Sequence, residues 1–143
     1  MGAEERPCPS AAPADQPTGT GPSAMLGNVG DLELLRLEFN AGDGSFLIQL
    51  RLDLHWDRHA FSRLEQAMRR VCAQQEPREQ LDRWLAEGYW YLSDFVPAIS
   101  ATQISPDEPA EYYQSAVRRL WDLQHWFVTG RSPYLARHQW ADL

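Results

Sequence analysis

Residues 81–97 form the stretch that most constrains how this chain folds. They contain two of the six tryptophans, two tyrosines and a phenylalanine. At about 100° per residue, most of the large apolar side chains fall on one broad face, which predicts an amphipathic helix buried against several neighbours. Gly88 lies on that face. Because glycine weakens a helix by about 1 kcal/mol relative to alanine, we expect another backbone to come close at this position.

Trp90 differs from the other aromatic residues of this helix because it falls on the polar face. Glu87 and Asp94 lie about one helical turn on either side of it. Trp126, with Asp122 one turn before it, lies near a polar face of a second predicted helix. Tryptophan is frequent as an anchor of protein interfaces, so these five residues form the predicted partner-binding site. The alternative is that a terminal segment folds over the two indoles.

Residues 32–56 predict a β-hairpin. The runs LELLRLEF and SFLIQLRLDLHW are separated by the turn-forming AGDG. The second run alternates apolar and polar residues, which is typical of an antiparallel strand with one face in water. An isolated hairpin is only marginally stable, so helices or another chain must cover its apolar face.

Three helices are predicted after the hairpin, over about residues 58–75, 78–96 and 106–129, from their apolar spacing. The fold class is therefore α+β, with the hairpin packed against three helices. Together these elements form a single domain over residues 26–143, large enough to bury one core.

Local signals mark the ends of these helices. Asp57 is the expected N-cap of the first helix, which carries an apolar stripe at helical spacing. Ser105 and Glu108 form a capping-box pattern before the third helix, and Gly130 is its expected C-cap. The core of the two later helices is expected to contain five aromatic residues: Trp84, Tyr91, Phe95, Trp121 and Phe127.

Residues 1–25 have a composition that does not form a core. They hold five of the ten prolines, with Gly, Ser, Thr and Ala between them and no large apolar residue before Met25. Such a segment buries too little apolar surface to offset the entropy lost on ordering, which predicts a disordered tail. Met25 is also a candidate alternative start.

The charge of the chain narrows the choice of partner. A formal net charge of −7 and a pI near 5.0 disfavour nucleic acids and anionic membranes, because both attract proteins with excess positive charge. A basic protein is favoured instead. No apolar run is long enough to cross a bilayer, and the N-terminus lacks the apolar segment of a signal peptide. The sequence therefore predicts a cytoplasmic location.

The chain lacks residues and motifs that several kinds of catalysis need. All 13 basic residues are arginine, so no lysine is present to form a Schiff base or to act as a general base. No nucleophile elbow, zinc-protease motif, glycine-rich phosphate loop or C-x-x-C occurs. Cys8 and Cys72 are too few for a disulfide framework, and Cys72 is expected to be a small buried residue. The sequence favours a non-catalytic protein without a cofactor.

Two polar clusters suggest alternative functions. His55, Asp57 and His59 have side chains that bind zinc or manganese, although the same residues also suit a solvated strand followed by an N-cap. Arg63 and Arg70 lie on the polar side of the first helix and would suit a phosphate or carboxylate at the mouth of a small-ligand pocket. The alternative for these arginines is a solvated face with ion pairs.

The main hypothesis is an acidic protein-interaction module, an adaptor or inhibitor that binds a basic partner through its polar-face tryptophans. One specific form is a bacterial immunity-type protein that neutralises a cationic nuclease toxin by charge complementarity. A homodimer formed through the same surface is a variant. The alternative is a small-ligand or metal-binding protein, or an enzyme, that uses one of the two polar clusters.

Overall fold

A computed structural model describes residues 23–102, 107–133 and 142–143 of the chain. These residues form five helices and no strand. In chain order the helices are α1 (Ser23–Phe39), α2 (Phe46–Leu52), α3 (Arg58–Gln75), α4 (Arg83–Thr102) and α5 (Ala110–Thr129). Within this part of the chain, no helix is both long enough and apolar enough to cross a membrane.

The helices pack as two pairs joined through α3. Helix α4 lies against α5, α1 lies against α3, and α3 also contacts α5. The short α2 packs on α1 and α3. At the centre, the ring of Tyr89 stacks on Phe127 with 4.4 Å between centroids, and its hydroxyl donates to the Met68 carbonyl at 2.6 Å. One buried tyrosine thus ties α4 to both α5 and α3.

Helix α3 has the bounds that the sequence predicts. The Asp57 carboxylate accepts hydrogen bonds from the backbone N–H groups of His59 and Ala60 at 3.0 and 3.1 Å, so the predicted N-cap is confirmed. The apolar stripe of the helix is buried. Cys72 belongs to this stripe and is buried, as predicted. Burial raises the pKa of its thiol to about 12.

The predicted β-hairpin is wrong, and with it the α+β fold class, because residues 32–56 form the end of α1, a turn, α2 and a loop. Ile48 is the only β-branched residue in this segment, which is otherwise rich in the helix formers Leu, Glu, Arg and Gln. Helix α2 buries Phe46, Leu47 and Leu50 and leaves Leu52 exposed. The apolar residues of a short run fit both the period of a strand and the period of a helix. The amino-acid composition of this segment therefore predicts its structure better than the spacing does.

The turn predicted to join two strands instead starts a helix. The Ser45 hydroxyl oxygen caps α2 by accepting the N–H of Ile48 at 3.1 Å. The buried carboxylate of Glu38, on α1, accepts the N–H groups of Phe46 and Leu47 at 3.2 and 3.5 Å. Two side chains thus satisfy amides that the first turn of a helix leaves without an internal partner.

The bounds of α4 differ from the prediction at both ends. The helix begins at Arg83, whereas the prediction begins at residue 78, and it continues through Pro97 to Thr102. Proline usually ends or bends a helix because it lacks an N–H and crowds the preceding turn. The carbonyl that residue 97 would otherwise bond belongs to Ser93, and it accepts an indole N–H from α5 instead.

Helix α5 begins later than predicted and ends where predicted. Pro109 is its N-cap residue and provides no side-chain cap, so the predicted capping box does not start this helix. Ser105 lies outside the described residues, and Glu108 pairs with Arg58 at 2.9 Å. Gly130 is the C-cap with φ of 68°, which confirms the predicted end.

Most of the predicted disordered tail, residues 1–22, lies outside the described residues. Residues 23–25 belong to the described part of the chain and begin α1. Residues 134–141, near the C-terminus, also lie outside the described part.

Candidate functional site

Trp90 projects from the outer face of α4. Its side chain is 57% exposed, whereas Leu85, Leu92 and Val96 of the same helix are fully buried. Glu87 and Asp94 are exposed as well. The structure therefore brings three of the five predicted binding residues together on one helix face.

Two concave regions flank Trp90. One, the α1–α4 cavity, has a volume of 480 Å³ and lies toward the start of α4. The other, the α4–α5 groove, has a volume of 340 Å³ and lies toward the end of α4. The α1–α4 cavity is lined by aromatic and charged side chains that include Arg36, Phe39, Trp84, Glu87, Trp90 and Tyr91. The α4–α5 groove is lined by Trp90, Ser93, Asp94, Pro97, Trp121 and Gln124.

Trp121 forms the far wall of the α4–α5 groove. It is 56% exposed, so its predicted place in the core is wrong. The signal was present in the sequence, because at about 100° per residue Trp121 lies about 160° from the buried Leu123. The prediction placed too wide an arc of this helix in the core.

The ring of Trp121 is held by a hydrogen bond to the other helix. Its indole N–H donates to the backbone carbonyl of Ser93 at 2.8 Å. In an uninterrupted helix that carbonyl would accept the N–H of residue 97, which is Pro97 and has none. The proline in α4 thus leaves an acceptor open, and a tryptophan of α5 uses it.

The other two predicted binding residues lie apart from Trp90. Asp122 borders a further concavity of 480 Å³ on the far side of Trp121, together with Arg118. Trp126 is 8% exposed, and its indole N–H donates to the Glu76 carboxylate at 2.6 Å. Its position joins α5 to the end of α3, and the structure places it away from the exposed surface around Trp90.

The α1–α4 cavity is shaped by the end of α1. The Arg36 guanidinium lies over the ring of Trp84, 4.2 Å from its centroid. The ring of Phe39 occupies the place where a Cβ atom on Gly88 would lie. The sequence predicted a close backbone at Gly88, and the structure shows a close aromatic side chain instead.

The His55, Asp57 and His59 cluster lies at the start of α3, and only His59 is within the helix. Its two imidazoles are exposed, and the Asp57 carboxylate caps the helix. The hydrogen bond from the Ala60 N–H is the main cause that lowers the pKa of Asp57. Across the described ranges, no group of three or more His, Cys, Asp or Glu residues is placed to hold a metal ion.

Arg69 and Arg70 of α3 form ion pairs within the protein. Arg70 pairs with Asp31 through contacts of 2.8–3.0 Å, which raise the pKa of the guanidinium. Arg69 pairs with Glu65 at 2.9 Å. Arg63 lies near enough to Glu38 to lower the pKa of that carboxyl, against the larger effect of burial. Arg70 thus matches the ion-pair alternative, whereas Arg63 forms no ion pair among the described residues.

Comparison of the chain with known protein families, characterised proteins and solved structures finds no match. Hypotheses about function therefore rest on the surface around Trp90. That surface combines two exposed indoles, a cavity and a groove that share Trp90, and exposed carboxylates at Glu87 and Asp94.

Proposed function

We propose that this chain is a non-catalytic interaction protein that binds a basic partner protein through the surface around Trp90. The observation that carries the proposal is the position of Trp90, which is 57% exposed and stands between two concavities. Each concavity contains one carboxylate, Glu87 in the cavity and Asp94 in the groove. An exposed indole beside clefts that can receive apolar groups is typical of an interface hot spot.

The charge of the protein supports a cationic partner. A net charge of −7 attracts basic proteins and speeds their association at low salt. Glu87 and Asp94 are separated by two helical turns, about 10.5 Å along the axis. A partner with two basic groups at about this spacing would pair with both carboxylates while it covers the ring of Trp90.

Adaptor and inhibitor are the two roles that such a surface suits. An immunity-type inhibitor of a basic nuclease remains the specific form that the sequence predicts, and the cytoplasm remains the predicted compartment. The proposal itself makes two statements: the partner is a basic protein, and the surface around Trp90 binds it.

The test compares wild-type protein, Trp90→Ala and Leu52→Ala in parallel capture from extracts of the native cells. Leu52 is a matched control because it is 73% exposed and lies on α2, outside the proposed surface. Proteins eluted by salt are identified and produced separately. Their dissociation constants for all three variants are then measured by calorimetry at two salt concentrations.

We expect one basic protein whose affinity falls with salt. Its Kd rises at least ~30-fold on Trp90→Ala, the equivalent of about 2 kcal/mol for a hot-spot residue. Leu52→Ala leaves the Kd within about 2-fold, because scattered surface residues contribute little. Equal binding by Trp90→Ala means that the surface is assigned wrongly, and recovery of no basic protein refutes the partner class.

A second copy of the chain is the competing occupant of this surface. It carries the same exposed carboxylates, and like charges brought together oppose association. Sedimentation over a wide concentration range separates the two cases. A mass that stays monomeric removes the homodimer, and a dimer that Trp90→Ala dissociates replaces the basic partner by the chain itself.

A further inference from the structure

We infer that the α1–α4 cavity binds an arginine side chain of the partner, and that the protein's own Arg36 competes for this cavity. The inference rests on the proposed function. It adds the type of side chain that the site recognises and identifies a group within the chain that weakens the binding.

The first observation is that one wall of the cavity already holds a guanidinium. Arg36 lies 4.2 Å from the centroid of the Trp84 ring, within the range of a cation–π contact. Among the described residues, Arg36 forms no ion pair with a carboxylate. The indole is therefore the group that positions it, which shows that the aromatic lining of the cavity accepts this cation.

The second observation is that the cavity has a second indole and a carboxylate beside it. Glu87 lies three residues after Trp84 and three before Trp90, so it falls between the two rings on the surface of α4. Within the described part of the chain, Glu87 makes no ion pair, although Arg36 borders the same cavity. The carboxylate is thus available to a cation that comes from outside.

Together these groups suit a guanidinium better than an ammonium. A planar guanidinium lying on the Trp90 ring presents its N–H edge to Glu87 and can form two parallel hydrogen bonds with the carboxylate. A lysine ammonium is more strongly hydrated and lacks both the flat face and the fork of donors. The cavity should therefore prefer arginine to lysine at equal charge.

Arg36 opposes this binding in two ways. It covers one face of Trp84, and its positive charge repels an incoming guanidinium. Removal of Arg36 should therefore increase the affinity for an arginine-containing segment. A residue that only stabilised the fold would have no such effect.

The test measures the binding of two probe peptides, hexa-arginine and hexa-lysine, by calorimetry at low salt. We expect the arginine peptide to bind wild-type protein about 5-fold more tightly, which is the size of one cation–π contact. Trp90→Ala and Glu87→Gln should bring this ratio close to about 1 while they leave weak charge-driven binding of both peptides. The indole N–H resonances of Trp84 and Trp90 should shift with the arginine peptide.

Arg36→Ala is compared with Arg51→Ala, which removes the same charge from the exposed side of α2. Arg36→Ala should tighten binding of the arginine peptide about 3-fold or more relative to Arg51→Ala, because it also clears the Trp84 ring. Equal gains from the two variants show a net-charge effect alone and overturn the role of Arg36.

Equal affinities of the two peptides for wild-type protein, or an arginine preference that survives Trp90→Ala, overturn the arginine site. Those results leave the proposed function intact if the protein partner is still lost on Trp90→Ala. Conversely, an arginine preference that depends on Trp90 supports the site even where no basic protein is recovered from cells.

Discussion

Gly88 sets how closely α1 approaches α4. A Cβ atom at this position would collide with the ring of Phe39. That ring also contacts Trp84 and Tyr89, with 6.1 and 6.0 Å between centroids. The missing side chain thus allows the end of α1 to pack on α4, and this packing forms one side of the α1–α4 cavity.

Gly88→Ala should lower the free energy of unfolding by about 1–2 kcal/mol, because the cost of overpacking exceeds the gain in helix propensity. Gly30→Ala is the control, since Gly30 lies in α1 with nothing within 4 Å of an added Cβ. That substitution should stabilise the protein by up to about 1 kcal/mol. Urea unfolding of both variants checks the pair, and a stabilising Gly88→Ala would contradict the close packing.

At the scale of the helix, α2 depends on a carboxylate from its neighbour. Glu38 of α1 is buried and accepts the first amides of α2. Burial raises the pKa of this carboxyl above its ordinary value of 4.5, and the two amide hydrogen bonds only partly oppose the shift. The folded state therefore holds the Glu38 proton more tightly than the unfolded chain does.

The stability contributed by Glu38 should fall as the pH rises. It is fully present below pH 4.5, the unfolded value, and is lost as the pH rises through the higher folded pKa. Measured as the free energy of unfolding, wild-type protein should lose stability relative to Glu38→Gln over this range. Glu33→Gln, which removes an exposed carboxylate of α1, is the control. A wild-type to Glu38→Gln difference that is constant with pH, or that moves the other way, would contradict the assignment.

The parts of the fold that the sequence predicted well have local signals. Helix α3 has an N-cap at Asp57 and one long apolar stripe, and both survive in the structure. Residues 32–56 contain short runs whose apolar residues fit the periods of both a strand and a helix. Within this segment, α2 packs on α1 and α3, and this tertiary packing favours the helix. The predicted end of the second helix near residue 96 precedes Pro97, because the sequence alone does not show that a neighbouring helix will use the carbonyl that this proline leaves open.

Part of the candidate site could also be predicted from local sequence signals, and part of it could not. Glu87, Trp90 and Asp94 share a face because of helical spacing alone, so the sequence predicts their grouping. The α1–α4 cavity also needs Arg36 and Phe39, and the predicted β-hairpin gives these two residues the wrong neighbours. No local pattern predicts a cavity that two distant segments build together.

Across the whole molecule, a buried ion pair joins the two helix pairs. Glu65 of α3 is 1% exposed and lies 2.6 Å from Arg119 of α5 and 2.9 Å from Arg69. A buried carboxylate destabilises the folded state unless its charge is compensated. Loss of Arg119 would therefore destabilise the protein mainly because it would leave the Glu65 charge poorly compensated.

Arg119→Met should destabilise the protein by about 3 kcal/mol, because Glu65 would keep its charge with only one cation beside it. Arg78→Ala, which breaks the exposed pair with Asp82, should cost less than about 1 kcal/mol. The double change Glu65→Met with Arg119→Met should recover part of the loss, since the uncompensated charge is gone. Thermal and urea unfolding test all three, and equal costs for Arg119→Met and Arg78→Ala would argue against a buried pair.

The hydrogen bond between the Trp121 indole and the Ser93 carbonyl makes position 97 of α4 and position 121 of α5 depend on each other. Any residue other than proline at position 97 would give the Ser93 carbonyl a second N–H donor, which would share this acceptor with the indole. The hydrogen bond that orients the exposed Trp121 ring would then be weaker. In diverging relatives of this chain, Pro97 and Trp121 should therefore be retained or lost together. A proline inside α4 would then determine whether α5 keeps an exposed tryptophan.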